Sequence, residues 1–181
     1  MRTIPRSRPQ APLYIREIET PLGAMIAGAT PTDLVLLEFV GRPIMDAQIA
    51  RLEKHLGCAH QAGESPIFGQ LATQLDEYFA GQRRDFDIPM RAPGTEFQEL
   101  VWTALQRIPC GATRSYGALA VSIGRPTAVR ALAHANRDNR ISILIPCHRV
   151  IGSDGTLTGY GGGLWRKQKL LDLEAGVGRL L

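Results

Sequence analysis

Residues 115–137 read Ser-Tyr-Gly-Ala-Leu-Ala-Val-Ser-Ile-Gly-Arg-Pro-Thr-Ala-Val-Arg-Ala-Leu-Ala-His-Ala-Asn-Arg. The apolar spacing predicts a short helix over Ser115 to Ile123 and a second over Thr127 to Arg137, joined by Gly124-Arg-Pro. A short helix, a glycine-containing turn and a second short helix make the shape of a helix-turn-helix. Upstream, Thr95 with Gln98 three residues on is a capping-box pair. Behind it Phe97, Leu100, Val101, Ala104, Leu105 and Ile108 keep helical spacing until Pro109 and Gly111 end the run. Downstream, Ile141 to Ile145 reads as a short buried strand, Ser153-Asp-Gly-Thr as a turn, and Leu164 to Ala175 as a last helix closed by Gly176. The second half is therefore mostly helical.

The first half reads as strands. Leu13 to Ile18, Ala24 to Gly28 and Leu34 to Val40 are separated by the turn-rich stretches 20–23 and 29–33, which predicts an antiparallel meander. A helix follows over Ile44 to Leu56. Another starts at Ser65 and Pro66, with Ile67, Phe68, Leu71, Leu75, Tyr78 and Phe79 on one face and Gly81 as its stop. Residues 87–94 read as a linker. The expected class is α/β in the α+β sense: a basic flexible arm over 1–12, a small antiparallel-sheet domain with helices over 13–90, and a helical domain over 91–181.

Composition bounds what the chain can be. With 181 residues, 44% hydrophobic and 21% charged, it can build one contiguous core and is not disordered throughout. Its longest stretch without a charge, Thr20 to Thr32, is too short and too proline-broken to span a bilayer. No apolar run follows Arg2, Arg6 and Arg8, so the start does not read as a signal peptide. Three cysteines, an odd number, argue for a reducing cytoplasm over a disulfide framework. The net charge of +4 is uneven. Residues 1–91 hold ten Lys/Arg against eleven Asp/Glu, whereas residues 92–181 hold eleven against six, so an anionic partner belongs to the second half.

The densest chemistry is Ile145-Pro-Cys-His-Arg-Val150. A free thiol is only a few per cent thiolate at neutral pH, and a neighbouring His or Arg raises that fraction. Cys147, His148 and Arg149 supply a nucleophile with two activators in three residues. On an extended strand, however, adjacent side chains point to opposite faces, so a Cys147–His148 contact needs a turn, a helical start or a bridging water. The residue types alone leave a second reading open, a buried structural cysteine beside a surface His and Arg.

Residues 145–152 resemble the active-site segment of the O6-alkylguanine-DNA alkyltransferases (methylated-DNA–protein-cysteine methyltransferases), short constitutive bacterial type. The resemblance runs in order through Thr95-Glu-Phe-Gln, Val101-Trp, Ile108-Pro-Cys-Gly, Ser115-Tyr-Gly, Arg130-Ala, Ala135-Asn, Asn139, Leu157-Thr-Gly-Tyr and Lys167 with Leu170-Leu-Asp-Leu-Glu. In the first half it rests on layout and on Leu75-Asp-Glu-Tyr-Phe-Ala-Gly. It makes 91–181 a DNA-binding alkyltransferase domain. The implied activity is irreversible transfer of an alkyl group from guanine O6, with O4-alkylthymine as a second candidate lesion, to the protein's own Cys147. No cofactor and no metal are implied. The implied partner is double-stranded DNA carrying alkylated guanine, bound by a monomer with no membrane contact; cooperative binding along DNA stays open.

Carried over residue by residue, the resemblance makes Cys147 the acceptor, activated through a water by His148, with Glu174 holding the imidazole. Tyr116 becomes the proton donor to the leaving guanine and presses on the 3′ phosphate. Asn139 ties the recognition segment to the Cys147 segment. Because the target atom is out of reach inside a duplex, the nucleotide is extruded, and Arg130 fills the space it leaves. Ala128, Ala131, Asn136 and Arg137 join Arg130 and Tyr116 as DNA contacts, in the minor groove. Val150, Tyr160, Gly161, Gly162 and Lys167 complete the pocket. Gly161, Arg140, Ala133 and His134 depart from residues common in the family.

His55, Cys58 and His60 match no standard metal spacing and read as a helix end. Two other functional classes compete. A lesion-binding protein without transfer lacks the acceptor cysteine, which this chain has. A Cys-His hydrolase requires no DNA-binding element, and the basic helix-turn-helix argues against it.

Overall fold

A computed structural model describes residues 11–177; all but the last two residues of the expected 1–12 arm lie outside the described residues. The turns between the first strands are built by side chains. Thr20 Oγ1 donates to the Gly23 carbonyl at 2.6 Å, and Thr30 Oγ1 accepts from the amides of Thr32 and Asp33. They produce the expected meander of β1 (Leu13–Ile18), β2 (Met25–Ala29) and β3 (Leu34–Phe39), paired antiparallel in sequence order. A fourth strand, β4 (His60–Ala62), lies parallel to β1, giving the order β3-β2-β1-β4. Its three residues are exposed, so no hydrophobic alternation announced it.

All six residues of β3 are buried because it is covered on both sides. Val35 and Leu36 join Met45 and Leu52 of α1 (Met45–Leu56) in a small cluster. Leu34, Leu37 and Phe39 face the main core. That core includes Phe68, Leu71 and Phe79 of α2 (Pro66–Phe79) and continues without a break into the second half. Residues 87–94 are not a free tether there: the Leu34 amide donates to the Pro89 carbonyl at 2.8 Å and the Arg91 amide to the Leu34 carbonyl at 2.9 Å.

In the second half, α3 (Glu96–Gln106) carries the full Thr95–Gln98 capping box, which stabilises its start by about 1 kcal/mol. Trp102 of α3 donates its indole N–H to the Ala135 carbonyl at 2.9 Å. This locks α3 onto α5 (Val129–Arg137), the second helix of the helix-turn-helix; the first is α4 (Tyr116–Ser122). Gly124, at φ 69°, makes the turn between them in a conformation that disfavours a side chain. Two two-residue strands, β5 (Arg114–Ser115) and β6 (Val150–Ile151), pair in parallel. The last helix is α6 (Leu164–Glu174). The molecule is thus a mixed α/β protein with its sheet in the first half and its helix-turn-helix in the second. Among the described residues no helix is long and apolar enough to cross a membrane.

One expectation fails where it matters for chemistry. Ile141 to Ile145 is not a strand. Ile141 makes one isolated bridge to Leu37, and the chain then turns tightly, with Leu144 N donating to Ser142 O at 2.9 Å and Ile145 N to Ile141 O at 3.0 Å. Ile143 sits at φ 72°, a left-handed conformation that costs a β-branched residue about 1–3 kcal/mol. A run of apolar residues reports burial, and burial alone does not choose strand over packed turns.

Candidate active site

The turns end at Pro146, and Cys147 opens a single 3-10 turn, Cys147–Arg149. The turn supplies a helical start, but among the described residues no hydrogen bond joins Cys147 directly to His148. Asn139 holds the segment in place. Its Nδ2 donates to the Ile145 carbonyl at 2.8 Å and to Cys147 Sγ at 3.1 Å, while its Oδ1 accepts from the Ile141 amide at 3.1 Å. Cys147 is 5% exposed. Burial pushes its thiol up to about 11, against the pull of the Asn139 hydrogen bond, so the resting side chain is a protonated thiol.

Beside it, His148 is fully buried and its Nε2 lies 2.8 Å from Glu174 Oε1. Burial opposes ionisation of Glu174, but hydrogen bonds and charge from His148 and Arg149 outweigh it and hold the carboxyl well below the usual range. Arg149 donates from Nε at 2.9 Å and from Nη2 at 2.9 Å. Tyr78, from α2, donates its hydroxyl to Oε1 at 2.8 Å, and the Gly111 amide donates to Oε2 at 3.2 Å. An ionised carboxylate only accepts, so His148 carries its proton on Nε2. Burial pulls His148 down despite the carboxylate, leaving Nδ1 as a basic lone pair. Among the described residues Nδ1 has no hydrogen-bond partner.

Tyr116 stands at the start of α4, half-buried, with Asn136 Nδ2 3.5 Å from its hydroxyl. The same Asn136 nitrogen is 3.4 Å from the Cys147 carbonyl. Lys167 is fully buried on α6 and donates to the carbonyls of Val150 and Thr158, the latter at 2.7 Å. It thereby ties the end of the cysteine segment to the loop over residues 158–163. Burial draws Lys167 down to about 8. The loop itself rests on the first half of the chain. A Cβ on Gly162 would meet the Phe39 ring at 2.8 Å, and Arg166 Nη1 donates to the Gly162 carbonyl at 2.8 Å while its Nε donates to Leu22 O at 2.8 Å. Tyr160 sets its ring edge-on to His148 at 6.5 Å between centroids.

On α5, Arg130, Ala131, His134 and Arg137 are exposed, and 130, 134 and 137 share one face by helical spacing. Ala128 is half-buried at the N-cap. Asn136, expected among the DNA contacts, is 1% exposed. It lies behind the surface because it faces Cys147 and Tyr116, a quarter-turn or more from the Arg130 face. Of the remaining expected residues, Val150 is fully buried and Gly161 is exposed. Arg140 puts a nitrogen 2.6 Å from the Pro93 carbonyl, and its guanidinium lies 5.9 Å from the Trp102 ring centroid, an anchor of α3. The cysteine segment, Asn139, Tyr116, Lys167 and the 160–162 loop are therefore gathered at one place, beneath the exposed basic face of α5.

Tyr78 and the role of Arg149 were not foreseen, nor was the pair Glu38–Arg42. Glu38 accepts from Arg42 and from Ser142 Oγ at 3.0 Å. Glu38 and Arg42 are four residues apart, but Ser142, Tyr78 and Glu174 reach their partners from distant parts of the chain. The sequence marks Tyr78 within the Leu75–Gly81 motif and Arg149 as an activator of the thiol, whereas the Arg149 guanidinium is taken up by Glu174. His60 pairs with Glu53 at 2.8 Å; among the described residues no cluster of three His, Cys, Asp or Glu is placed to hold a metal.

Two family models match in succession: the ribonuclease-like domain of 6-O-methylguanine DNA methyltransferase over residues 13–92, and its DNA binding domain over residues 96–176. The methylated-DNA--protein-cysteine methyltransferase of Mycobacterium leprae is 42% identical over 162 residues, 90% of this chain and 92% of that protein. That of Methanosarcina barkeri is also 42% identical, over 163 residues, 90% of this chain and 97% of that one. The crystal structure of Mycobacterium tuberculosis OGT in complex with DNA superposes with a TM-score of 0.78 at 40% identity, over 91% of this chain and 94% of that one. With both halves of the chain matched in order and a buried Cys-His-Glu set at the foot of a helix-turn-helix, the chain belongs to the 6-O-methylguanine DNA methyltransferase family.

Proposed function

We propose that this protein reverses alkylation damage directly, taking the alkyl group from O6 of guanine in double-stranded DNA onto Cys147 and being consumed in the act. The observation that carries the reading is the buried Cys147 thiol, one residue before an imidazole held by Glu174, under a basic exposed helix. Displacement at an sp³ carbon calls for a soft, strong nucleophile, and thiolate is the best that side chains offer. The Cys147 proton passes toward His148 Nδ1, through a water as the family relay implies. The Sγ–C bond forms as the C–O6 bond breaks, and the departing electron pair stays on guanine, which takes a proton from Tyr116. A proton returns from His148 to Tyr116, so the net change is thiol to thioether and O-alkylguanine to guanine. A thioether has no good leaving group, which makes the event single.

Burial of the resting thiol supports the need for His148: at a thiol pKa of about 11, only about one molecule in a thousand is thiolate at pH 8. Asn139 fixes the cysteine segment, Lys167 fixes the loop, and Val150, Tyr160, Gly161 and Gly162 line the pocket. The exposed Arg130 enters the base stack in place of the extruded nucleotide, with Ala128, Ala131 and Arg137 along the groove; buried Asn136 belongs with the pocket instead. The free state of Cys58, Cys110 and Cys147 suits a reducing cytoplasm.

Mass spectrometry after mixing with a duplex holding one O6-methylguanine tests the reaction. The expected result is one added methyl on the Cys147 peptide, saturating at one per protein. Binding with no mass gain would instead favour a lesion sensor. The role of Arg130 has its own test. Arg130→Ala should slow repair in duplex DNA by about 10²-fold, because extrusion costs a few kcal/mol that the arginine offsets, while reaction with free O6-benzylguanine stays within about two-fold. Equal losses on both substrates would remove Arg130 from base extrusion.

A further inference from the structure

We propose that Arg42, from the segment after β3, is a positioning residue that sets the width of the alkylguanine pocket by keeping its guanidinium in the space left by the missing side chain of Gly161. The inference rests on the function argued above and deepens it. The loop over residues 160–163 contains three consecutive glycines, so its own backbone does little to fix its position. What fixes it must be what it leans on. A Cβ built on Gly161 would lie 2.0 Å from Arg42 Nη2 and 2.2 Å from the guanidinium carbon. Its φ lies outside the left-handed region, so contact with Arg42, and no backbone demand, is what excludes a side chain here.

Arg42 is not a loose surface arginine. It is 9% exposed and paired with Glu38, which is 0% exposed. Glu38 is itself held by the Phe39 amide at 3.0 Å and by Ser142 Oγ. The other arm of the guanidinium donates from Nη2 to the Arg137 carbonyl at the end of α5, at 3.1 Å. A planar fork bound at both ends cannot move aside without leaving a buried carboxylate unpaired. Gly161 is thus pinned against a rigid group supplied by the first half of the chain, next to Tyr160 and the Cys147 segment. A methyl adduct needs no movement of the loop. A benzyl adduct gains if the loop can lift, and Arg42 limits that lift.

The experiment compares rates of alkyl transfer to Cys147 from O6-methylguanine in duplex DNA and from O6-benzylguanine in the same duplex context. Arg42→Ala alone would strand Glu38, so the informative background is Glu38→Gln with Arg42→Met; Arg42→Lys, which keeps a cation for Glu38 but loses the planar fork, guards against a folding failure. Both backgrounds should raise the benzyl-to-methyl rate ratio, by about ten-fold in the double variant. Gly161→Ala should slow methyl transfer about ten-fold with Arg42 present and lose most of that effect in either background, as residues in direct contact couple. An unchanged ratio, or a Gly161→Ala penalty of the same size in all backgrounds, overturns the role of Arg42. The unsubstituted protein separates the two levels: if it gains no methyl the functional reading itself falls, and if it does while the ratio stays fixed only the Arg42 inference falls.

Discussion

Cys147→Ala should abolish alkyl transfer, by more than about 10³-fold, and should leave binding to a methylated duplex within about three-fold. The first half of this expectation follows from chemistry: the groups left near His148, among them the Tyr160 phenol and the Lys167 amine, are harder and far weaker nucleophiles toward an sp³ carbon than a thiolate. The second follows from placement. Cys147 is 5% exposed and sits behind α5, so its loss takes away no charge and no contact on the exposed face of Arg130 and Arg137. The fold should survive as well. Asn139 Nδ2 loses its bond to Sγ yet keeps the Ile145 carbonyl at 2.8 Å, which limits the cost to about 1 kcal/mol. Intact-mass measurement beside a binding titration at fixed salt reads both quantities. Methyl gain retained in Cys147→Ala would move the acceptor to Cys58 or Cys110 and end the assignment. Cys147→Ser should behave the same way, because an alcohol in that site ionises far less readily than a thiol.

The parts of this site differ in how far the sequence announces them, and the reason is range. The caps at Ser65 and Thr95 and the turn at Gly124 are local statements, made within four residues, and the helices start and stop close to where those residues put them. The fold of the cysteine segment is not local. Asn139 supplies, through one side chain, the hydrogen bonds that a neighbouring strand would supply to Ile141 and Ile145. A strand-like sequence can therefore fold as turns, at the expense of a strained Ile143. Glu174 is further still from legibility: its donors Tyr78, Gly111, His148 and Arg149 stand up to 96 residues away in the chain. Only the family resemblance coupled Glu174 to His148, and nothing in the residue pattern coupled it to Tyr78. Arg42 escaped notice for the same reason, since its neighbour Gly161 is visible in the sequence only as an absent side chain.

Glu174→Gln tests the centre of this arrangement, because the substitution keeps the shape and removes only the charge. In the protein as it stands, the carboxylate accepts from a buried guanidinium, an imidazole, a phenol and an amide. A carboxamide offers one acceptor and one donor, so an N–H group must face Arg149 or His148. Arg149, whose side chain is 7% exposed, then carries a nearly dry charge with no counter-charge, which costs about 3–5 kcal/mol. For a domain of this size that lowers Tm by about 10 °C. The pH dependence carries the sign of the cause. The folded-state pKa of Glu174 is depressed, so its contribution is present in full above the unfolded value near 4.5 and is lost as pH falls toward the folded one. The Tm gap between Glu174→Gln and the unsubstituted protein should accordingly be widest at pH 6–7 and narrow steadily from about pH 5 downward. Buried neutral His148 lowers stability with acid in both proteins and does not by itself produce that narrowing. Per folded molecule, methyl transfer should also drop by about 10²-fold, since an amide facing Nε2 no longer enforces the tautomer that leaves Nδ1 basic. A gap of the same size from pH 7 to pH 3 would mean that lost packing, and not lost charge, destabilises the variant, and the carboxylate would then be a structural strut with no part in preparing His148.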